Sequence, residues 1–300
     1  MDRLDAMAVF QAVVEAGSLS AAGRKIGVPL ATVSRKISEL ETHLETRLLN
    51  RSTRGLTLTE AGRSYLAACR RILDDISEAE RAATGEYREP KGGLTIAAPV
   101  VCGRLHLLPV VTEFLAAYPD VDVRLMLGDR IVSLQDDHVD LAVRIGELPD
   151  SSLSATRVGS IRRVVCGSPK YFAAHGTPKT PADLARHRCI TFDALMSPGV
   201  WSFTSARADI AVPVHSRLVV NTAEAAIDAA IAGVGITRVL SYQTEAARRA
   251  GLIRIILREY EPTPVPVSLV YSGPKRLPLK LRAFIDFAAP RLRKRLQAAA

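Results

Sequence analysis

The run Ser18-Leu-Ser-Ala-Ala-Gly-Arg-Lys-Ile-Gly-Val-Pro-Leu-Ala-Thr-Val-Ser-Arg-Lys-Ile37 holds two short helical patterns parted by a glycine. Ser18 or Ser20 can cap the first, whose inward residues are Ala21, Ala22 and Ile26. Gly27 makes the turn, and Pro29 suits the first turn of the second helix, where its missing N–H costs nothing. That second helix runs on through Val33, Ile37, Leu40 and Leu44 at spacings of three and four. Two helices joined by a tight glycine turn, the second opening on small and hydroxylated residues, form the helix-turn-helix pattern. A helix entering the major groove must keep its exposed N-terminal face small. Ala31, Thr32 and Ser34 meet that need, with Arg35 and Lys36 as flanking cations for bases or phosphates. The same residues would also suit an ordinary solvated helix face.

On the N-terminal side, Leu4, Met7, Phe10, Val13 and Val14 predict an amphipathic helix over 2–16, stopped by Gly17. On the C-terminal side, Leu49 to Gly55 leads into the alternating Leu56-Thr-Leu-Thr59, the pattern of a small hairpin. Arg51 and Arg54 stand near its tip with Thr53, where arginines can reach phosphates or a narrow minor groove. A hairpin arginine pair is usually only solvated; directly behind a helix-turn-helix the DNA reading is favoured. Thr59 then caps a long helix to about Tyr87, with Leu66, Cys69, Leu73, Ile76, Ala83 and Tyr87 in one stripe. A single stripe on so long a helix calls for a partner, most simply a second copy of the chain, the alternative being packing onto its own chain.

Arg88-Glu-Pro-Lys-Gly-Gly93 breaks the composition and marks a domain boundary. Beyond it strands and helices alternate: strands at 94–98, 121–127, 140–144 and 161–167, and a helix over 105–118. This alternation predicts a parallel sheet with helices on both faces, whose ligands bind beyond the carboxyl ends of the strands. A second lobe over about 162–262 has its own units, and the chain returns through 265–271 and a helix over 279–296 to finish the first. Two α/β lobes with a cleft between them describe a solute-binding receptor.

The net charge of +9 permits a polyanionic partner. Residues 20–71 hold ten Lys/Arg against four Asp/Glu, but residues from 91 onward also carry an excess, 27 against 18. Charge alone therefore does not single out a DNA-binding face. Cys69, Cys102, Cys166 and Cys189 are far apart, and the six histidines are scattered, so neither a disulfide framework nor a metal site is expected. No apolar run of membrane-span length and no export signal are evident, which implies a cytoplasmic protein without a membrane partner.

The succession of Ser-Leu-Ser-Ala-Ala, Val-Ser-Arg-Lys-Ile, Leu-Leu-Asn-Arg-Ser-Thr-Arg and Leu-Thr-Leu-Thr-Glu-Ala-Gly resembles the N-terminus of LysR-type transcriptional regulators. The likeness continues through Asp140 to Leu153, Leu218-Val-Val-Asn221 and Ala283-Phe-Ile-Asp-Phe287, which resemble the CrgA-like branch in particular. It implies a winged helix-turn-helix DNA-binding domain over 1–58 and a linker and dimerisation helix over 59–89. An effector-binding domain over 91–300 would follow, of the two-lobed, type 2 periplasmic-binding-protein-like α/β class. Lobe I would cover about 91–161 and 265–300, and lobe II about 162–264. The resemblance further implies promoter DNA with an interrupted inverted repeat, a small-molecule effector, and a homotetramer built from dimers, with RNA polymerase as a further partner. The family's DNA contacts fall on Ala31, Thr32, Ser34 and Arg35 and on Arg51, Thr53 and Arg54. Leu30 departs from the family, many members having a polar residue there. The effector positions fall on Pro99, Val100, Val101, Asp129, Arg144, Gly146, Asn221, Thr222 and Thr237. A serine or threonine common after the first sensor strand is missing from Pro99-Val-Val-Cys102, which favours an uncharged or partly hydrophobic effector. Arg144 could grip a carboxylate or pair with Asp140 or Glu147.

Catalysis is not expected, since there is no G-x-S-x-G elbow, Walker loop or G-x-G-x-x-G. No cofactor is expected either. A free solute-binding protein would have no use for residues 1–87, and a nonspecific architectural DNA protein would leave the receptor-like part unexplained.

Overall fold

The computed structural model describes residues 2–52, 55–84, 89–149, 153–192, 199–205, 208–273 and 277–297, with backbone only at 51, 52, 55, 78, 79 and 81–84. It divides into two compact units, 1–89 and 90–300.

The first unit opens with α1 (Arg3–Ala16), α2 (Leu19–Ile26) and α3 (Leu30–His43). Asp2 caps α1 by accepting from the Leu4 amide at 3.0 Å, and Ser18 caps α2 by accepting from Ala21 at 3.1 Å. Gly27 holds φ +69° between α2 and α3, the left-handed geometry that ends a helix in one residue. Phe10, Val13, Ala22, Val33, Ile37 and Leu40 close into one core with Leu48 and Leu49. The hairpin follows as β1 (Leu49–Ser52) and β2 (Gly55–Leu58), antiparallel, with Leu49 opposite Leu58 and Ser52 opposite Gly55. Then α4 runs over Glu60–Thr84. Its first stripe residues, Leu66 and Cys69, fill this unit's own core, whereas Leu73 and Ile76 stay half-buried. At Leu66 and Cys69 the stripe therefore packs onto its own chain. Tyr87 lies outside the described residues.

α4 comes very close to the chain entering the hairpin. Thr59 Oγ1 donates to the Arg47 carbonyl at 2.7 Å and accepts from the Gly62 amide at 2.9 Å. A Cβ on Gly62 would lie 2.0 Å from the Leu48 carbonyl oxygen, so only glycine lets the helix dock there.

The second unit contains two five-stranded sheets. Its elements in order are β3 (Gly92–Ala98), α5 (Val100–Ala117), β4 (Val121–Leu127), β5 (Leu141–Ile145), β6 (Leu153–Ile161) and β7 (Arg163–Gly167). There follow α6 (Pro169–His175), β8 (Cys189–Phe192), β9 (Val200–Thr204), β10 (Asp209–Pro213), β11 (Ser216–Val220) and α7 (Ala223–Ile231). Last come β12 (Ile236–Leu240), α8 (Ser241–Arg249), β13 (Arg254–Ile256), β14 (Val265–Ser272) and α9 (Leu279–Gln297). Lobe I carries the sheet β4-β3-β5-β14-β6, and lobe II the sheet β11-β8-β12-β7-β13.

Four expectations need correcting here. Neither sheet is purely parallel: β14 runs antiparallel to β5 and β6, and β7 antiparallel to β12 and β13. The reversed strands are β7, by which the chain enters lobe II, and β14, by which it re-enters lobe I. The single strand read over 161–167 is two, β6 and β7, which part at Arg162 and join different sheets. The segment Val100–Ala117 is, by length and composition, apolar enough to cross a membrane. Val101, Leu107, Val110, Val111 and Phe114 instead bury it in the lobe I core, so its apolarity is that of a core helix. It also starts five residues earlier than the expected 105, through a wide π-type turn at Gly103–Leu107.

The lobes are tied where the chain crosses. Arg162 Nη1 donates to Glu261 Oε2 at 2.9 Å, and the Arg162 carbonyl accepts from the Ser241 amide at 2.9 Å. Leu240 and Tyr242, on a segment rooted in the lobe II sheet, are counted in the lobe I core.

Two outcomes follow from this packing. Gly62→Ala should destabilise the N-terminal unit by about 2 kcal/mol or more, because backbone rather than a flexible side chain must yield; thermal unfolding of the full chain would read it. Arg162→Met should cost about 1–3 kcal/mol in chemical denaturation by leaving the Glu261 carboxylate half-enclosed without its cation, and Glu261→Gln should cost less.

Candidate nucleic-acid interface and interlobe site

Helix α3 sorts its residues by side. Val33, Ile37 and Leu40 are fully buried, Ala31 and Arg35 are exposed, and Thr32 and Ser34 are half-buried. The helical period puts the small residues and the arginine outward because the same period puts the branched ones into the core. Arg35 is held only loosely, its Nε 4.0 Å from Glu39 one turn on and its side chain 70% exposed. Lys36 behaves differently from its expected role as a flanking cation: its ammonium pairs with Asp5 of α1 and only 22% of the side chain is exposed. It is thus turned back toward the first helix.

The far end of α3 is fixed to the hairpin. Glu41 Oε1 accepts from the Leu48 amide at 2.8 Å and the Leu49 amide at 3.0 Å. One carboxylate therefore satisfies two amides at the root of β1, a charge-assisted arrangement stronger than a neutral pair. Arg51 lies in β1 opposite Leu56, with its backbone alone described, and Thr53 and Arg54 lie outside the described residues. Ser18 and Glu41 are positioning residues of this interface; of the two, only Ser18 had a legible signal.

In the second unit, Pro99 and Val100 sit half-buried at the carboxyl end of β3, where α5 begins. The Val100 amide donates to Asp129 Oδ1 at 3.1 Å, so two of the expected effector positions meet. Val101 is 3% exposed and points into the lobe I core. Arg144, on β5, donates through Nη2 to the Val132 carbonyl, and burial pulls its pKa below the usual guanidinium value. The Asp140 carboxylate accepts from the Thr95 amide at 2.6 Å. Gly146 stands at φ +125° with its amide on the Pro266 carbonyl, a geometry only glycine takes without strain.

On lobe II, Asn221 is exposed and Thr222 caps α7, accepting from Ala225 at 3.2 Å. Thr237 on β12 is fully buried, and its Oγ1 has no hydrogen-bond partner among the described residues. Asn221 and Thr222 thus follow the carboxyl end of β11, whereas Thr237 is the second residue of β12, level with Leu218 in the sheet, and is not brought to that end.

Sequence reasoning missed three groups in this unit. Tyr242 reaches from the start of α8 into lobe I, buried, with its ring edge-on to His106 at 5.2 Å and its hydroxyl unpartnered among the described residues. Burial raises its pKa well above the phenol value and lowers that of His106. The signal was an aromatic two residues past a strand end, which periodicity does not flag. In lobe II, the Arg238 guanidinium lies 5.5 Å from the Trp201 ring and 5.9 Å from Phe203, and donates to the Ser202 carbonyl at 2.8 Å. Its burial pulls the pKa down to about 10. Among the described residues no group of three or more His, Cys, Asp or Glu side chains could hold a metal.

Residues 4–63 match the model of the bacterial regulatory helix-turn-helix protein, lysR family, and residues 87–293 match the LysR substrate binding domain. An HTH-type transcriptional regulator of Xanthomonas campestris pv. campestris is 35% identical over 288 residues, covering 95% of this chain and 84% of that protein. The HTH-type transcriptional regulator CrgA of Neisseria meningitidis is 33% identical over 290 residues, covering 95% and 96%. The solved structure of CrgA from that organism superimposes with a TM-score of 0.61 at 30% identity, over 96% of this chain and 98% of that one. Winged helix-turn-helix, two-lobed α/β receptor and these matches across nearly the whole length agree: the chain belongs to the LysR family and is a DNA-binding transcriptional regulator with an effector-binding domain.

Proposed function

We propose that the chain reads an interrupted inverted repeat at a promoter. In this reading residues 1–58 bind DNA, 59–89 form the linker and dimerisation helix, and 91–300 sense a small molecule between lobes I and II. The observation that carries the DNA side is the sorting of α3, with Ala31 and Arg35 exposed and Val33, Ile37 and Leu40 buried beneath them. Ala31, Thr32, Ser34 and Arg35 then face base edges, while Arg51, Thr53 and Arg54 reach the backbone or minor groove. Lys36, bound to Asp5, contributes field and not a direct contact. The half-buried Leu73 and Ile76 of α4 supply the seam for a second copy, and two such dimers make a tetramer. Such a regulator works in the cytoplasm with RNA polymerase at hand, and carries no catalysis of its own.

For the effector, Pro99, Val100, Asp129, Arg144, Gly146, Asn221, Thr222 and Thr237 line the site, with Val101 supporting it from the core. The first loop offers apolar surface and no hydroxyl, and the Arg144 guanidinium is already engaged with a carbonyl. The effector is therefore uncharged or partly hydrophobic. Its binding favours one arrangement of the lobes, which resets the dimers and the bend between their sites.

Arg35→Ala should weaken binding to the upstream DNA of the protein's own gene by about five- to a hundredfold in a gel shift at fixed salt, with the melting temperature unchanged. Equal retention of operator and random DNA by the unaltered chain would reject sequence-specific regulation. A thermal-shift screen should return uncharged or partly apolar stabilisers; a result of small polar acids only would overturn the effector reading.

A further inference from the structure

Leu30 is the first residue of α3, and 52% of it is exposed. It belongs neither to the core of the N-terminal unit nor to the partly buried apolar residues packed on that core, which include its neighbour Val28. Pro29 and Ala31 beside it are exposed too, so the tip of this helix presents three successive residues whose side chains offer no hydrogen bond. A leucine in that position is idle in the free protein. Scattered exposed apolar residues are common, but this one stands at the leading end of the helix that, in the function proposed above, enters the major groove.

The base edges there are donors and acceptors with one exception, the C5 methyl of thymine. A leucine pressed against a cytosine amino group or a guanine carbonyl would strip water from it and return no hydrogen bond, a cost of the kind that makes unpaired polar groups discriminating. Against a thymine methyl it loses nothing polar and both surfaces leave water. We infer that Leu30 is a specificity-determining residue that reads a thymine in each half-site through its C5 methyl. This rests on the DNA-reading function of α3. Ala31, exposed next to it, leaves room for that approach, and Arg35 one turn later remains free to serve another base or a phosphate.

The test begins by selecting bound sequences from a random duplex pool with the full chain, then replacing each thymine of the selected site by deoxyuridine, which removes the methyl and keeps every hydrogen bond. Loss of one buried methyl should weaken binding of the unaltered chain about fourfold at one position per half-site. Leu30→Ala, which should fold normally because the side chain is half-exposed, should bind the thymine and deoxyuridine sites equally. Leu30→Gln should move the preference at that position toward adenine, whose N6 and N7 it can engage. Enrichment of a site that shows the same deoxyuridine sensitivity, or none, in the unaltered chain and in Leu30→Ala would overturn the inference and leave the regulator reading standing. Failure to enrich any sequence would overturn both.

Discussion

Everything in the receptor unit hangs on a single residue between two sheets. Arg162 is the one position separating β6 from β7, and it cannot be absorbed into either ladder without dragging the next strand into the wrong lobe. Its peptide and its side chain are both held: the carbonyl by Ser241 at the start of α8, the guanidinium by Glu261 on the chain returning to β14. Both passages of the chain between the lobes thus meet here, together with the start of α8. Each bond is worth only about a kcal/mol net in isolation. Their joint effect is geometric, since they hold the two crossing segments together.

Beside Ser241, Tyr242 follows the end of β12 and is buried in lobe I against His106. Among the described residues the Tyr242 hydroxyl and His106 Nε2 are buried in this region, so polar atoms lie close to where the two lobes meet.

The sequence made the N-terminal unit legible for a physical reason. Its three helices are short, amphipathic and punctuated by Ser18, Gly17 and Gly27, so period and caps agree residue by residue. The second unit was legible as two α/β lobes and illegible in detail. Strands that follow one another without a turn residue between them leave no boundary to read, so Ile161 to Gly167 reads as one strand although Arg162 divides it. Strand direction leaves no local mark either, which hid the antiparallel pairing of β14 and β7. Among the site residues, exposure on α3 followed from periodicity. The turning of Lys36 to Asp5, 31 positions away, and the clamp of Glu41 on Leu48 and Leu49 depend on tertiary placement that spacing does not encode.

That clamp makes the reading helix and the hairpin root one stiff body. In the function proposed above, a reader tied in this way has a fixed gauge between α3 and the root of β1. A duplex bound by it would do the adapting, so easily twisted steps would be favoured over stiffer ones with identical contacted bases, and part of the recognition code would lie in the mechanical compliance of base pairs that no side chain reaches.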